Sequence, residues 1–246
     1  MLLCVFYLMR HNFIFDFRLR SFHIYREELR LIFKIGTPNA IQNGVTSISF
    51  LFITALVNVI GGYTASAAVG VVGKFNGFAI MPALAMSAAV STMSAQCIGA
   101  EKWDRAVHAL KIGCGIAILF SYSIFAVAQA FPAAILSLFD RDPEMIAFGV
   151  SYMRSFSLDY LIVPFCFCFN GLFMGAGHTR FTLVNSILSS LLLRIPASYL
   201  FGVSLDWGLF GVGLGAPAAS LGALILIVWF YLSKRWRVNV IRHHVS

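Results

Sequence analysis

The stretch Tyr152–Gly177, YMRSFSLDYLIVPFCFCFNGLFMGAG, holds one acid, Asp159, in a largely apolar run that also contains Pro164. As a helix rising about 1.5 Å per residue, this run is long enough to cross the roughly 30 Å hydrocarbon core of a bilayer. What Asp159 can do depends on the solvent around it. The whole chain answers that question. Of its 246 residues 59% are hydrophobic and only 11% are charged, and the mean hydropathy is +0.84. These values belong to the membrane class. The net charge of +8 then reads as the basic excess of cytoplasmic loops. No basic stripe interleaved with aromatics is present, so no nucleic-acid partner is expected.

Other chemistries are poorly represented. Cys4, Cys97, Cys114, Cys166 and Cys168 lie in or beside apolar segments, without a CxxC pair or a histidine cluster. They read as small buried hydrophobes, not as zinc ligands. The histidines (His11, His23, His108, His178, His243, His244) lie in or beside the segments assigned below to the cytoplasm. There is no GxSxG, HExxH or P-loop, so no enzyme is expected. Active transport by such a chain has to draw on an ion gradient, and no cofactor is expected beyond a transported Na+ or H+.

Six apolar runs satisfy the length of a span. They cover about Thr37–Ile60, Ala65–Ala95, Ala106–Gln129, Ala147–Met174, Arg180–Phe201 and Leu209–Leu232. The second is long and contains Lys74, Asn76 and Pro82, which predicts a kink or a steep tilt. Pro38 falls in the first turn of the first run, where its missing N–H is harmless. In the last run Gly211, Gly215 and Ala219 recur every fourth residue, a face for close helix packing.

The region before the first span divides in two. Met1–Phe15 has a short apolar core with no basic residue ahead of it and no cleavage site after it. It reads as the stump of a preceding helix or a start-site artefact, not as a signal peptide. Asp16–Lys34 mixes Arg18, Arg20, Arg26, Glu27, Glu28 and Arg30 with Phe17, Phe22, Ile24 and Leu29, which suits an interfacial amphipathic linker near lipid headgroups. The expected division is thus residues 1–34, a six-helix lobe over 35–233, and a basic tail over 234–246.

The loops alternate in charge. One set carries Arg18, Arg20, Arg26, Arg30 and Lys34, then Lys102, Arg105 and Lys111, then Arg180, then Lys234, Arg235, Arg237 and Arg242; the other set (GGYT, FPAAILSLFDRDPE, VSLDWG) carries one basic residue, Arg141. The positive-inside rule places both ends in the cytoplasm of a multi-pass plasma-membrane protein, and an even number of spans agrees.

Polar residues interrupt the apolar faces in register. Asn39, Gln42, Asn43, Thr46 and Ser49 recur at spacings of three and four on the first run, and Thr182, Asn185, Ser186 and Ser189 do so on the fifth. Such stripes avoid lipid. They hydrogen-bond between helices, at roughly 0.6 kcal/mol each, or they line a wet cleft.

Asp159 lies about 20 Å into the fourth run, near mid-membrane. A carboxylate at that depth costs about 2.5–3.5 kcal/mol on insertion scales. It is kept there if paired, protonated or bound to a cation. If the fourth helix starts later, Asp159 lies at an interface instead. Arg154 and Arg194 are also inside spans and are the candidate counter-charges, Arg194 the stronger of the two.

At this point four segments in order, IGTPNAIQNG (35–44), MPALAMSAAVSTMSAQCIGAEKWDRA (81–106), SFSLDYLIVPFCFCFNGLFMGAGHTRF (155–181) and LLLRIPASYLFG (191–202), resemble the multidrug and toxic compound extrusion (MATE) family. The Q-x-x-G-A ending at Ala100, the G-x-G-x-T from Gly175 to Thr179 and the R-I-P of Arg194 to Pro196 carry the likeness. The match covers about Lys34 to Trp236 and looks like the C-terminal half of a bacterial member.

The resemblance implies an all-α lobe of six transmembrane helices, one of two facing each other across a central cleft. It also implies efflux of organic cations or drugs in exchange for Na+ or H+, with Asp159 as the cation ligand. Gln42, Asn43 and Thr46 would then fall on the cavity wall, and Asn76, Asn170 and Asn185 join them as candidate cavity residues. Thr46 stands near the place where some relatives have a glutamate. The second lobe would come from a separate chain or a second copy of this one. The alternatives are a non-transporting remnant or partner subunit, and a flippase for lipid-linked sugars.

Overall fold

The computed structural model describes residues 26–237. The chain forms two units, 1–37 and 38–246. In the first, the described residues 26–37 are helical, with Leu29 and Phe33 exposed; the remainder of the expected linker lies outside the described residues. The second unit holds the bundle, and every regular element described in it is a helix.

The helical stretch Arg26–Ala79 is broken at Gly62, whose φ of 68° and ψ of −158° suit only glycine. The break divides it into α1 (26–61) and α2 (63–79). The Ser66 hydroxyl reaches the Asn58 amide oxygen at 3.4 Å, whereas eight residues of straight helix would separate them by about 12 Å. The chain therefore folds back at Gly62, and the long apolar stretch Gly36–Gly99 contains two spans. α2 passes into α3 (Met81–Gly99) through Ile80, with Pro82 in the first turn of α3, so the proline removes no needed donor.

α4 (Trp103–Ala130) is followed by a short α5 (Pro132–Ser137). α6 (Pro143–Phe156) starts with the Asp142 side chain accepting from the Glu144 N–H at 3.0 Å, a normal N-cap. A 3-10 turn, Ser157–Leu161, then leads into α7 (Val163–Gly175), and the two halves of this span meet at 44°. Pro164 in the first turn of α7 cannot donate to a continuous ladder, which accounts for the break.

The fifth span consists of α8 (Thr179–Ile187), a π-helical stretch Leu188–Leu193, α9 (Arg194–Tyr199) and a second π stretch Leu200–Ser204. Pro196 would press against the carbonyl one turn earlier, and the wider π turn makes room for it. α10 (Gly208–Leu232) is the sixth span.

Packing between spans relies on small residues. A Cβ added at Gly171 or Gly175 of α7 would collide with the Ser87 or Ser91 carbonyl of α3. Gly211 and Gly215 of α10 lie as closely on Phe201 and Ser198, so that face packs against the fifth span. One apolar cluster joins Ile53, Val57, Val69 and Val72 to Tyr152, Met153, Phe156 and Val212; a second joins Val90, Leu110 and Leu172 to Phe173, Ile227 and Phe230. Trp236 is also in the second cluster, 1% exposed, with its ring stacked on Tyr231 and its indole N–H donating to the Tyr231 carbonyl. Trp236, the third residue of the segment expected as a tail from Lys234, therefore packs into the bundle.

Candidate functional site

Asp159 lies on the 3-10 turn that breaks the fourth span. Among the described residues the other acids lie at helix ends or in loops, so there this is the carboxylate inside a span. A broken helix leaves carbonyls without their usual donors. α4 supplies replacements. Gln129 Nε2 donates to the Arg154 carbonyl at 2.9 Å and to the Ser157 hydroxyl at 3.0 Å, and the Tyr122 hydroxyl reaches the Leu161 carbonyl at 3.4 Å. The backbone around Asp159 is thus held from the side, and one oxygen of its carboxyl is left over. Its Oδ1 is buried without a hydrogen-bond partner, while Ser220 of α10 and Arg194 of α9 are its polar neighbours.

Arg194 is held by aromatic rings. Its guanidinium lies 4.3 Å from the centroid of Phe50 and 6.0 Å from that of Phe156, and it is a hydrogen-bond neighbour of Tyr152. Tyr152, Phe156 and Tyr160 form a column with centroids 5.5 and 6.1 Å apart. Cation–π contact holds the charge in an apolar setting without consuming the carboxylate. Arg154, the other candidate counter-charge, is exposed; five residues from Asp159, it faces away from the site.

The cavity candidates separate. Thr46 is half-buried and donates to the Gln42 carbonyl of its own helix at 3.0 Å, while the Asn43 carbonyl accepts from Ser47 at 3.0 Å and Asn43 itself is exposed. Ser49, from the same stripe, instead bonds across to the fifth span. Gln42, Asn76 and Asn170 are half-buried. Asn185 is 3% exposed and lies inside the lobe instead of on an open wall. The Asn39 side chain is outside the described residues. Ser220, Gln129 and Tyr122 were not singled out by the sequence reading. Serine, glutamine and tyrosine within apolar runs are the signal, but it does not say which neighbour they meet. Lys74 is exposed, and Cys114 and Cys168 are free, adjacent thiols. Among the described residues no group of three His, Cys, Asp or Glu could hold a metal.

A multi-pass bundle with broken spans, small-residue helix contacts and one carboxylate at a break is the architecture of a membrane transporter lobe. The family model MatE matches residues 38–200, and the chain belongs to that family. It is 27% identical, over 90% of its length, to the probable multidrug resistance protein YoeA of Bacillus subtilis (strain 168), covering 48% of that protein. It is 29% identical to the probable multidrug resistance protein YpnP of the same organism, with 86% of this chain and 47% of YpnP covered. A solved structure described as the outward-facing conformation of a multidrug resistance MATE family transporter superposes with a TM-score of 0.84 at 20% identity, over 94% of this chain and 52% of that one. The chain spans about half the length of the relatives it matches.

Proposed function

We propose that the lobe is one half of a secondary exporter that exchanges organic cations for Na+ or H+, with Asp159 as the group that binds the coupling cation. The observation that supports this reading best is the Asp159 Oδ1, buried at a helix break and without a partner. A carboxyl oxygen in that setting is stabilised by a proton or a metal cation. The break matters because it sets the carboxyl where the helical ladder of the span is already interrupted.

Coupling requires that the ion bind one conformation more tightly than the other, since it can shift the balance only by that difference. The cleft in which the organic cation rides would be completed by a second lobe, from another chain or from a second copy of this one. Both termini would lie on the cytoplasmic side of the plasma membrane, as the loop charges indicate.

The test is efflux of ethidium or norfloxacin from reconstituted vesicles, with Na+ and H+ gradients imposed separately, for this chain alone and with a partner lobe. Asp159→Asn is expected to insert and fold yet lose gradient-driven efflux. Coupled efflux at the unmodified rate by a well-folded Asp159→Asn protein would exclude the role.

A further inference from the structure

Asp159 is not the only buried oxygen left without a protein partner. The side-chain amide oxygens of Asn170 on α7 and Asn185 on α8 share that condition, and Asn185 is 3% exposed. Their placement is related. α7 and α8 meet through Phe173 and Phe181, whose rings are edge to face with centroids 5.4 Å apart. Asn170 is three residues before Phe173 and Asn185 four after Phe181, so each amide stands on the face that makes this contact, one helical turn further in. Phe230 of α10 stacks on Phe181 at 4.0 Å and meets Phe173 at 5.0 Å. The two amides therefore lie beneath an aromatic trio, about 10 Å below the turn that joins α7 to α8.

Deeper still, the oxygens continue in a line. Ser189 is one turn beyond Asn185, and its hydroxyl donates to the Ala219 carbonyl of α10 at 3.2 Å. The next residue, Ser220, is a polar neighbour of Asp159, and its carbonyl accepts from the Cys166 thiol at 3.7 Å. A seam of oxygen atoms thus runs between α7, the fifth span and α10, from the amide pair to the carboxyl.

The unpartnered atoms on this seam, Asn170 Oδ1, Asn185 Oδ1 and Asp159 Oδ1, are all acceptors. Neutral amide oxygens are too weakly basic to hold a proton, but they are ordinary ligands for hard metal cations. We propose that Asn170 and Asn185 form a second Na+ station, by which the ion passes between the α7–α8 turn and Asp159. This rests on the reading of Asp159 as the coupling site.

The experiment is equilibrium binding of radiosodium to the purified full chain in detergent. Asp159→Asn is expected to lose the tighter binding and retain a weaker component. Asp159→Asn combined with Asn185→Leu should lose that component too. Asn185→Asp in the Asp159→Asn background should tighten the weaker component about tenfold, because a formal charge replaces a dipole. Asn185→Gln and Asn185→Asp keep the test open if the leucine variant does not fold. Loss of all sodium binding on Asp159→Asn alone, or residual binding indifferent to every Asn185 change, overturns the station. So does an unmodified chain that binds no sodium, a result that would leave a proton-coupled role for Asp159 to be judged by the gradient experiment.

Discussion

The Ser49 hydroxyl donates to the Ser190 carbonyl across 2.7 Å, with Ser49 fully buried. Ser190 belongs to the first π stretch of the fifth span, where the wide turn weakens the local ladder and leaves carbonyls open to outside donors. The bond therefore ties α1 to the irregular part of the fifth span, directly before Arg194. Ser49→Ala is expected to destabilise the lobe by about 0.6 kcal/mol, the usual size of such a bond within a membrane. Reversible unfolding in mixed micelles would measure it, and an unchanged midpoint would show that the π stretch finds another donor.

The approach of α7 to α3 leaves no room for a side chain at Gly171, where a Cβ would strike the Ser87 carbonyl. Gly171→Ala should lower stability by about 1–3 kcal/mol, the range for overpacked cores. Gly70→Ala, where the added carbon would meet nothing within 4 Å, should be neutral or better. The two variants, compared by thermal unfolding, separate packing at the contact from helix propensity.

Arg194 depends on its planar group. Arg194→Lys keeps the charge and loses the flat face against Phe50, and should cost about 0.5–2 kcal/mol of stability. Phe50→Leu should reproduce most of that loss, and the double variant should show less than the sum of the two. Additive losses would mean that the stacking contributes nothing.

Trp236 should behave as a core residue despite its basic neighbours. It lies 5.8 Å from Trp103 in an edge contact and is stacked on Tyr231 at 5.6 Å. Trp236→Ala should destabilise by about 3–5 kcal/mol, whereas Lys234→Ala, at an exposed position, should stay within about 0.5 kcal/mol of the parent. Unfolding curves of the two variants would show whether the bundle ends before or after this residue.

Much of this protein was legible in its sequence. Six apolar runs announce six spans because the bilayer imposes a length and forbids charge within it, and Asp159 stood out because a carboxylate there needs a reason to stay. The second run, expected to kink or tilt, is interrupted at Ile80 beside Pro82; that the fourth span would break ahead of Pro164 is in keeping with a proline that has no N–H to give. The partners of these groups were not legible. Nothing local says that Gln129 and Tyr122 would brace the break, that Arg194 would lie on Phe50 instead of pairing directly with Asp159, or that Arg154 would turn outward. Nor does it say that Asn185 would be enclosed within the lobe. Sequence periodicity reports which face of a helix a residue occupies, whereas which helix covers that face is decided by interhelical fit at glycines such as Gly171 and Gly215, a property of the folded chain as a whole.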